Sequence, residues 1–409
     1  MKKLLEIGLG IIAALGGFVD IGDLVFATQA GAKFGLRLLW ALALGTLLIM
    51  LYAEMSGRVA TIAKQPVFTI IRNRFPKKLG LATLAASTMV NLLTFAAEIG
   101  GVALVLQLLV DLPYRALIVA IALALVLIIW LLPFQAIEKI FGYLGLGLLV
   151  IVVAALKTHP DWRAAGEGLI PHLNDPSGTL TYWYYAVGII AATLMPYEVY
   201  FYSSGAIEEK WKPSDLIVNK VNAVLGFGLG GLLVAGIVAV SANLFYGPQI
   251  IPEFINTTAL AALIPYGQAG LLLALLGMLF TISGAAIETC FAGAYNIAQY
   301  RGWKWGKHVH PLSVPRFTLA WLVLLPLATL LTLTGFDPIT ITEYAVIFSV
   351  LVMPITYLAV LLVAKDERVM GEFKNKPWNT ALGWVGFAVI VAVSLAAVPL
   401  MILTQRGSL

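Results

Sequence analysis

Long apolar runs constrain this chain before any motif does. About eleven of them lie along its 409 residues, near 7–32, 36–57, 80–109, 114–133, 141–156, 180–204, 221–245, 268–298, 317–335, 339–363 and 379–403. A run of about 20 such residues is long enough to cross the hydrocarbon core of a bilayer as a helix. There the backbone polar groups must be satisfied within the segment itself, which helices achieve. The expected fold class is therefore an all-α integral membrane protein of about eleven transmembrane helices. Composition agrees: 60% of residues are hydrophobic and 11% charged, about half the charged share of soluble domains.

Basic residues fix an expected orientation, because loops rich in Lys and Arg stay on the cytoplasmic side. With the N-terminus inside, 20 of the 26 Lys and Arg fall in inner segments, and six, Lys33, Arg37, Arg115, Lys157, Arg163 and Arg406, fall outside. The expectation is a multi-pass protein of the plasma (inner) membrane, N-terminus in and C-terminus out. Since the net charge of +5 sits in loops, it marks a membrane topology and no nucleic-acid partner. Residues 1–26 do not read as a cleaved signal, for the apolar run continues past Asp20 without a small-residue cleavage pattern.

The outer stretch 157–179, with Pro160, Gly166, Pro171, Pro176 and Gly178, divides the chain. Residues 1–156 hold spans one to five, 180–363 hold spans six to ten, and 364–409 add a loop and an eleventh span. All belong to one transporter-like domain. Two spans are interrupted in mid-membrane, at Asp20-Ile21-Gly22-Asp23 and at Met195-Pro196-Tyr197-Glu198. They are the first span of each half, the layout of an inverted repeat with its substrate site between broken helices. Pro196 has no N–H, so the Ala192 carbonyl loses its helical donor, with the Met195 thioether one turn away. Gly22 is expected to let the first span unwind, turning Asp20, Asp23 and the Gly17 carbonyl toward the same cavity.

Further acids, Glu54, Glu98, Glu198, Glu288 and Glu343, fall inside or beside the spans. A carboxylate at that depth costs about 2.5–3.5 kcal/mol on insertion scales. Only Arg58 and Arg316, at span ends, stand near them in sequence, so protons or a cation must neutralise the rest. Glu54 and Glu98 also read as hydrogen-bond partners within the bundle. The excess of negative charge speaks against an anionic substrate. A membrane enzyme is not expected: His159, His172, His308 and His310 lie in loops, and Cys290, the single cysteine, has no partner. An amino-acid or organic-cation carrier of the same architecture would need an aromatic cage, for which Tyr182, Trp183, Tyr184 and Tyr185 are available, although their position at the start of span six reads as an interfacial belt.

These residues resemble the NRAMP family of divalent-metal transporters. The family's Asp-Pro-Gly-Asn is matched by Asp20-Ile21-Gly22-Asp23, followed by Ala30-Gly31-Ala32-Lys33-Phe34-Gly35 and Leu38-Leu39-Trp40. Its Ala-Thr-x-Met-Pro-His is matched by Ala192 to Tyr197, and its loop before span eleven by Asp366 to Phe373, Asn375 and Leu382-Gly383-Trp384. The resemblance implies an inverted-repeat, LeuT-like 5+5 fold with broken helices 1 and 6. It also implies metal held by Asp20, Asp23, Met195 and the carbonyls of Gly17 or Ala192, with Glu343 in the place of a glutamine near the ion.

Departures matter as well. Ile21 replaces the proline, Tyr197 replaces a histidine linked to proton movement, and Phe95 stands where an aspartate of the proton route is expected. Glu98, Glu198 and Tyr197 are left as the residues to handle protons or support the ligands. The expected function is alternating-access transport of divalent cations, weakly or not at all coupled to protons. Met195 favours Mn²⁺- or Fe²⁺-like ions. Asp23 and Glu343 make the site harder and leave Mg²⁺, carried by a related branch, as the alternative. The metal is substrate; no cofactor and no obligate protein partner are implied.

Overall fold

The computed structural model describes residues 19–158, 160–172, 179–250, 252 and 255–407. The inner half of the first run, with Gly17, and His159 lie outside these residues. Where described, the first run is helix α1 (Ile21–Phe34). After it come α2 (Leu39–Ala63), the short α3 (Val67–Arg74), α4 (Lys77–Gln107), α5 (Tyr114–Leu131) and α6 (Phe134–Lys157). The second half is α7 (Thr179–Thr193), α8 (Pro196–Glu208), α9 (Pro213–Tyr246), α10 (Leu263–Arg301), α11 (Pro315–Leu333), α12 (Pro338–Ser349), α13 (Met353–Ala364) and α14 (Pro377–Leu403). Among the described residues, eight helices are each long and apolar enough to cross a membrane, and α12 with α13 forms a bent ninth crossing. The pair α7 and α8, either side of Leu194 and Met195, is the broken sixth.

Three features differ from the sequence expectation. The fifth span begins at Phe134 rather than near 141, because Pro133 caps its start without needing an N–H there. The tenth run is not one helix: it turns by 43° between α12 and α13, where Pro354 can enter a first turn but could not continue an older one. Gly22 itself is helical rather than unwound. The helix already begins at Ile21, with Asp20 as its cap.

Gly22 instead permits close approach: a β-carbon there would lie 2.9 Å from Val346 Cγ2 and 3.6 Å from the Ala192 β-carbon. Small residues serve the same end elsewhere, as membrane helices without a hydrophobic drive pack through close backbone contact. At Gly31 a β-carbon would lie 2.4 Å from the Val238 carbonyl of α9.

Candidate functional site

The helix starts bring the two breaks together. Asp20 is fully buried, and its Oδ1 accepts the Asp23 N–H at 3.0 Å, a side-chain cap for an exposed helix donor. Its Oδ2 accepts the Tyr197 hydroxyl at 3.2 Å, reaching across from the first turn of α8. Asp23, in the first turn of α1, is also buried, and its Oδ2 has no hydrogen-bond partner. Met195 caps α8 and is fully buried, with Pro196 at the first helical position. In this break the Leu194 carbonyl accepts the Tyr357 hydroxyl of α13 at 2.9 Å, whereas Pro196 leaves the Ala192 carbonyl without its helical donor. Asp20, Asp23, Ala192 and Tyr197 thus come together in one buried place, with Met195 buried in the same break as Ala192.

Such a place can take a cation. The N-termini of α1 and α8 both open here, and on their own they favour negative charge. That makes Asp20 and Asp23 tolerable in ionised form, yet the unpartnered Asp23 oxygen still calls for a donor or a positive charge. Among the described residues, neither aspartate has a Lys or Arg partner. Nor do three or more His, Cys, Asp or Glu side chains stand close enough to hold a metal by themselves, so any metal here must draw on sulfur, carbonyl oxygen or water besides the two carboxylates.

The remaining acids divide. Glu98 Oε1 accepts Thr289 Oγ1 at 3.1 Å, while its Oε2 has no partner. Glu198 is 5% exposed, and neither of its carboxylate oxygens has a partner. Glu54, read as a hydrogen-bond partner within the bundle, is bound by Arg58, with Nε to Oε1 at 2.8 Å and Nη2 to Oε2 at 3.0 Å. One helical turn separates the two, the spacing at which opposite charges meet on a helix face. Glu343 lies 3.7 Å from Arg406 Nη1, a pairing the sequence did not suggest because the two are 63 positions apart. It stands one turn before Val346, the side chain against Gly22. Arg316, the other expected cation, sits over the Trp303 ring at 5.8 Å.

Three of the four aromatics at the start of α7 are also placed differently from expectation, while Trp183 stays half-buried against Trp40. Tyr182, Tyr184 and Tyr185 are buried, packed against Phe26 and Phe34 of α1, and so form core between the two broken spans rather than an interfacial belt. Tyr185 donates to Gln29 Oε1 at 2.9 Å. Phe95 is buried within α4 and offers no proton.

Residues 10–399 match the sequence model of a family described as natural resistance-associated macrophage protein-like, or Nramp. The chain is 28% identical over 409 residues to a divalent metal cation transporter, MntH, of Deinococcus radiodurans, covering 95% of this chain and 88% of that one. It is 24% identical to the MntH of Bacillus subtilis, covering 95% and 90%. A crystal structure of the Eremococcus coleocola manganese transporter superposes with a TM-score of 0.77 at 19% identity, over 99% of this chain and 88% of that one. The fold is therefore the LeuT-like one of that transporter. Its two broken spans, the loop before α14 and a family match along nearly the whole length lead to one conclusion: this chain is an integral membrane protein of the Nramp family, a transporter and not an enzyme.

Proposed function

We propose that this protein moves divalent metal cations across the membrane by alternating access, with the ion seated between Asp20, Asp23, the Met195 thioether and the Ala192 carbonyl. The observation that carries this reading is the meeting of the capped start of α1 with the break of the sixth span at a buried pair of aspartates, one with an oxygen that no donor reaches. The relatives bear names of divalent metal cation and manganese transporters, in keeping with a site that offers both sulfur and carboxylate. Thioether sulfur favours Mn²⁺-like transition metals over Ca²⁺ and Mg²⁺. Glu343, held beside Arg406, contributes charge one turn away. The positive-inside distribution supports an inner N-terminus and an outer C-terminus.

Proton coupling is weak or absent in this reading. The Tyr197 hydroxyl is engaged with Asp20, and a phenol with a reference pKa of about 10 relays no proton at neutral pH. A magnesium carrier is the second reading, favoured by the added carboxylates at Asp23 and Glu343. One experiment separates these: purified protein in liposomes, with Mn²⁺ and Mg²⁺ influx and internal pH followed together. Mn²⁺ influx should exceed Mg²⁺ influx, internal pH should hold steady, and Asp20→Ala should abolish both binding and flux. Divalent binding unchanged in Asp20→Ala would end the assignment, and metal-dependent acidification would overturn the weak coupling.

A further inference from the structure

Beyond the break, α8 carries a second acidic group that the seat does not use. Glu198 is almost fully buried and both its oxygens lack a donor; α8, which carries it, packs against α10, which carries Glu288. Glu288, on α10, lies nearer the loop 302–314. Two turns further along that helix, Tyr295 donates to Glu208 at 2.5 Å, and Glu208 lies ten residues beyond Glu198. At 1.5 Å per residue, Glu288 falls about 5 Å farther from the break than Glu198. It opens onto a small cavity of about 20 Å³ between α6 and α10, which Glu138 also lines. Among the described residues a cation closes the series at Glu138, where Lys307 Nζ lies 3.0 Å from Oε1. Glu198 and Glu288 are thus two carboxylates in succession, on facing helices, between the aspartate seat and the first fixed positive charge.

We propose that Glu198 and Glu288 form a second station for the transported divalent cation, one step from the Asp20–Asp23 seat toward the Lys307 side. The inference rests on the transport reading above. The cavity on the far side of Glu288 from Glu198 has room for about one water, so an ion at the station can keep a water there while the carboxylates take the place of lost ones. Hard oxygen donors alone make this station less selective than the seat. Selection belongs to Met195 and passage to the glutamates.

The test uses the full chain in liposomes and Mn²⁺ as probe, with wild type, Glu198→Gln, Glu288→Gln, Glu288→Asp and Asp20→Ala compared for equilibrium binding, influx and internal pH. Both glutamine variants should still bind Mn²⁺ at the seat, which also reports that they are folded, while influx falls at least about tenfold. Glu288→Asp should recover a substantial part of the flux because the charge is kept. Wild-type Mn²⁺ influx in both glutamine variants overturns the station. So does loss of a proton signal with metal flux intact, which would make the glutamates proton carriers. If Asp20→Ala binds and transports like wild type, the seat itself fails, a result distinct from failure of the station alone.

Discussion

Met195 shows what a single side chain can decide. It is a buried soft donor set in the break of the sixth span, and its backbone position is fixed by the proline that follows it. Met195→Ala should lower Mn²⁺ or Cd²⁺ affinity by about tenfold, or about 1.4 kcal/mol, and leave Mg²⁺ flux nearly unchanged; competition between the ions in liposome influx measures this. Equal losses for all three would make the thioether a lining group and favour the magnesium reading. At this scale the sequence was informative where chemistry is local. Asp20, Asp23 and Pro196 stand out because acids and helix breakers are rare in apolar runs. Pairings between distant residues were not legible: Glu343 with Arg406, or the Tyr197 hydroxyl with Asp20, depends on which helix faces which. Apolar runs carry little periodicity to report that, since their lipid and protein faces are alike in character.

Helices meet here through small residues, and their tolerance can be stated position by position. At Gly31, added volume would press a β-carbon to 2.4 Å from backbone in α9, which cannot rotate away. Gly31→Ala should therefore destabilise the protein by about 1–3 kcal/mol, as overpacking does. Gly166, with nothing within 4 Å of such a β-carbon, should accept alanine within about 0.5 kcal/mol. Thermal unfolding of the two variants in detergent, followed by size-exclusion chromatography, compares them directly. A similar midpoint for both would refute the close-approach role. Most of the spans were readable from hydrophobicity, because most of the runs approach the length of about 20 residues that crosses a bilayer, and eight of the described helices are long and apolar enough to do so. The bend at α12–α13 was not, since Val350, Leu351 and Val352 are as apolar as their neighbours and only Pro354 hints at a restart.

Across the whole molecule, a buried cation ties one end of the bundle. Lys307, in the loop between α10 and α11, bonds Glu138 of α6 and lies over the Phe134 and Phe201 rings at 4.0 and 4.3 Å, while its N–H and that of His308 bind Glu208 of α8. Burial works against its ammonium, but Glu138, Glu209 and Glu208 outweigh that and raise its pKa above the ordinary 10.5. The lysine's share of stability is thus complete below 10.5 and fades only as pH climbs through the raised value. Lys307→Met should cost roughly 3–5 kcal/mol by leaving Glu138 unpaired, with Glu138→Gln added to it restoring part of the loss, as unfolding midpoints at pH 7 and 9 would show. No restoration would mean the pair is not the tie. At the opposite end of the sequence, α14 supplies Ser394, whose hydroxyl donates to the Val350 carbonyl at 2.9 Å, right at the turn between α12 and α13. It also supplies the Gly383 carbonyl that receives the Tyr52 hydroxyl at 2.8 Å. The corner of the tenth crossing is therefore completed by another helix: without α14 packed beside it, the Val350 carbonyl loses the Ser394 donor just where α12 gives way to α13.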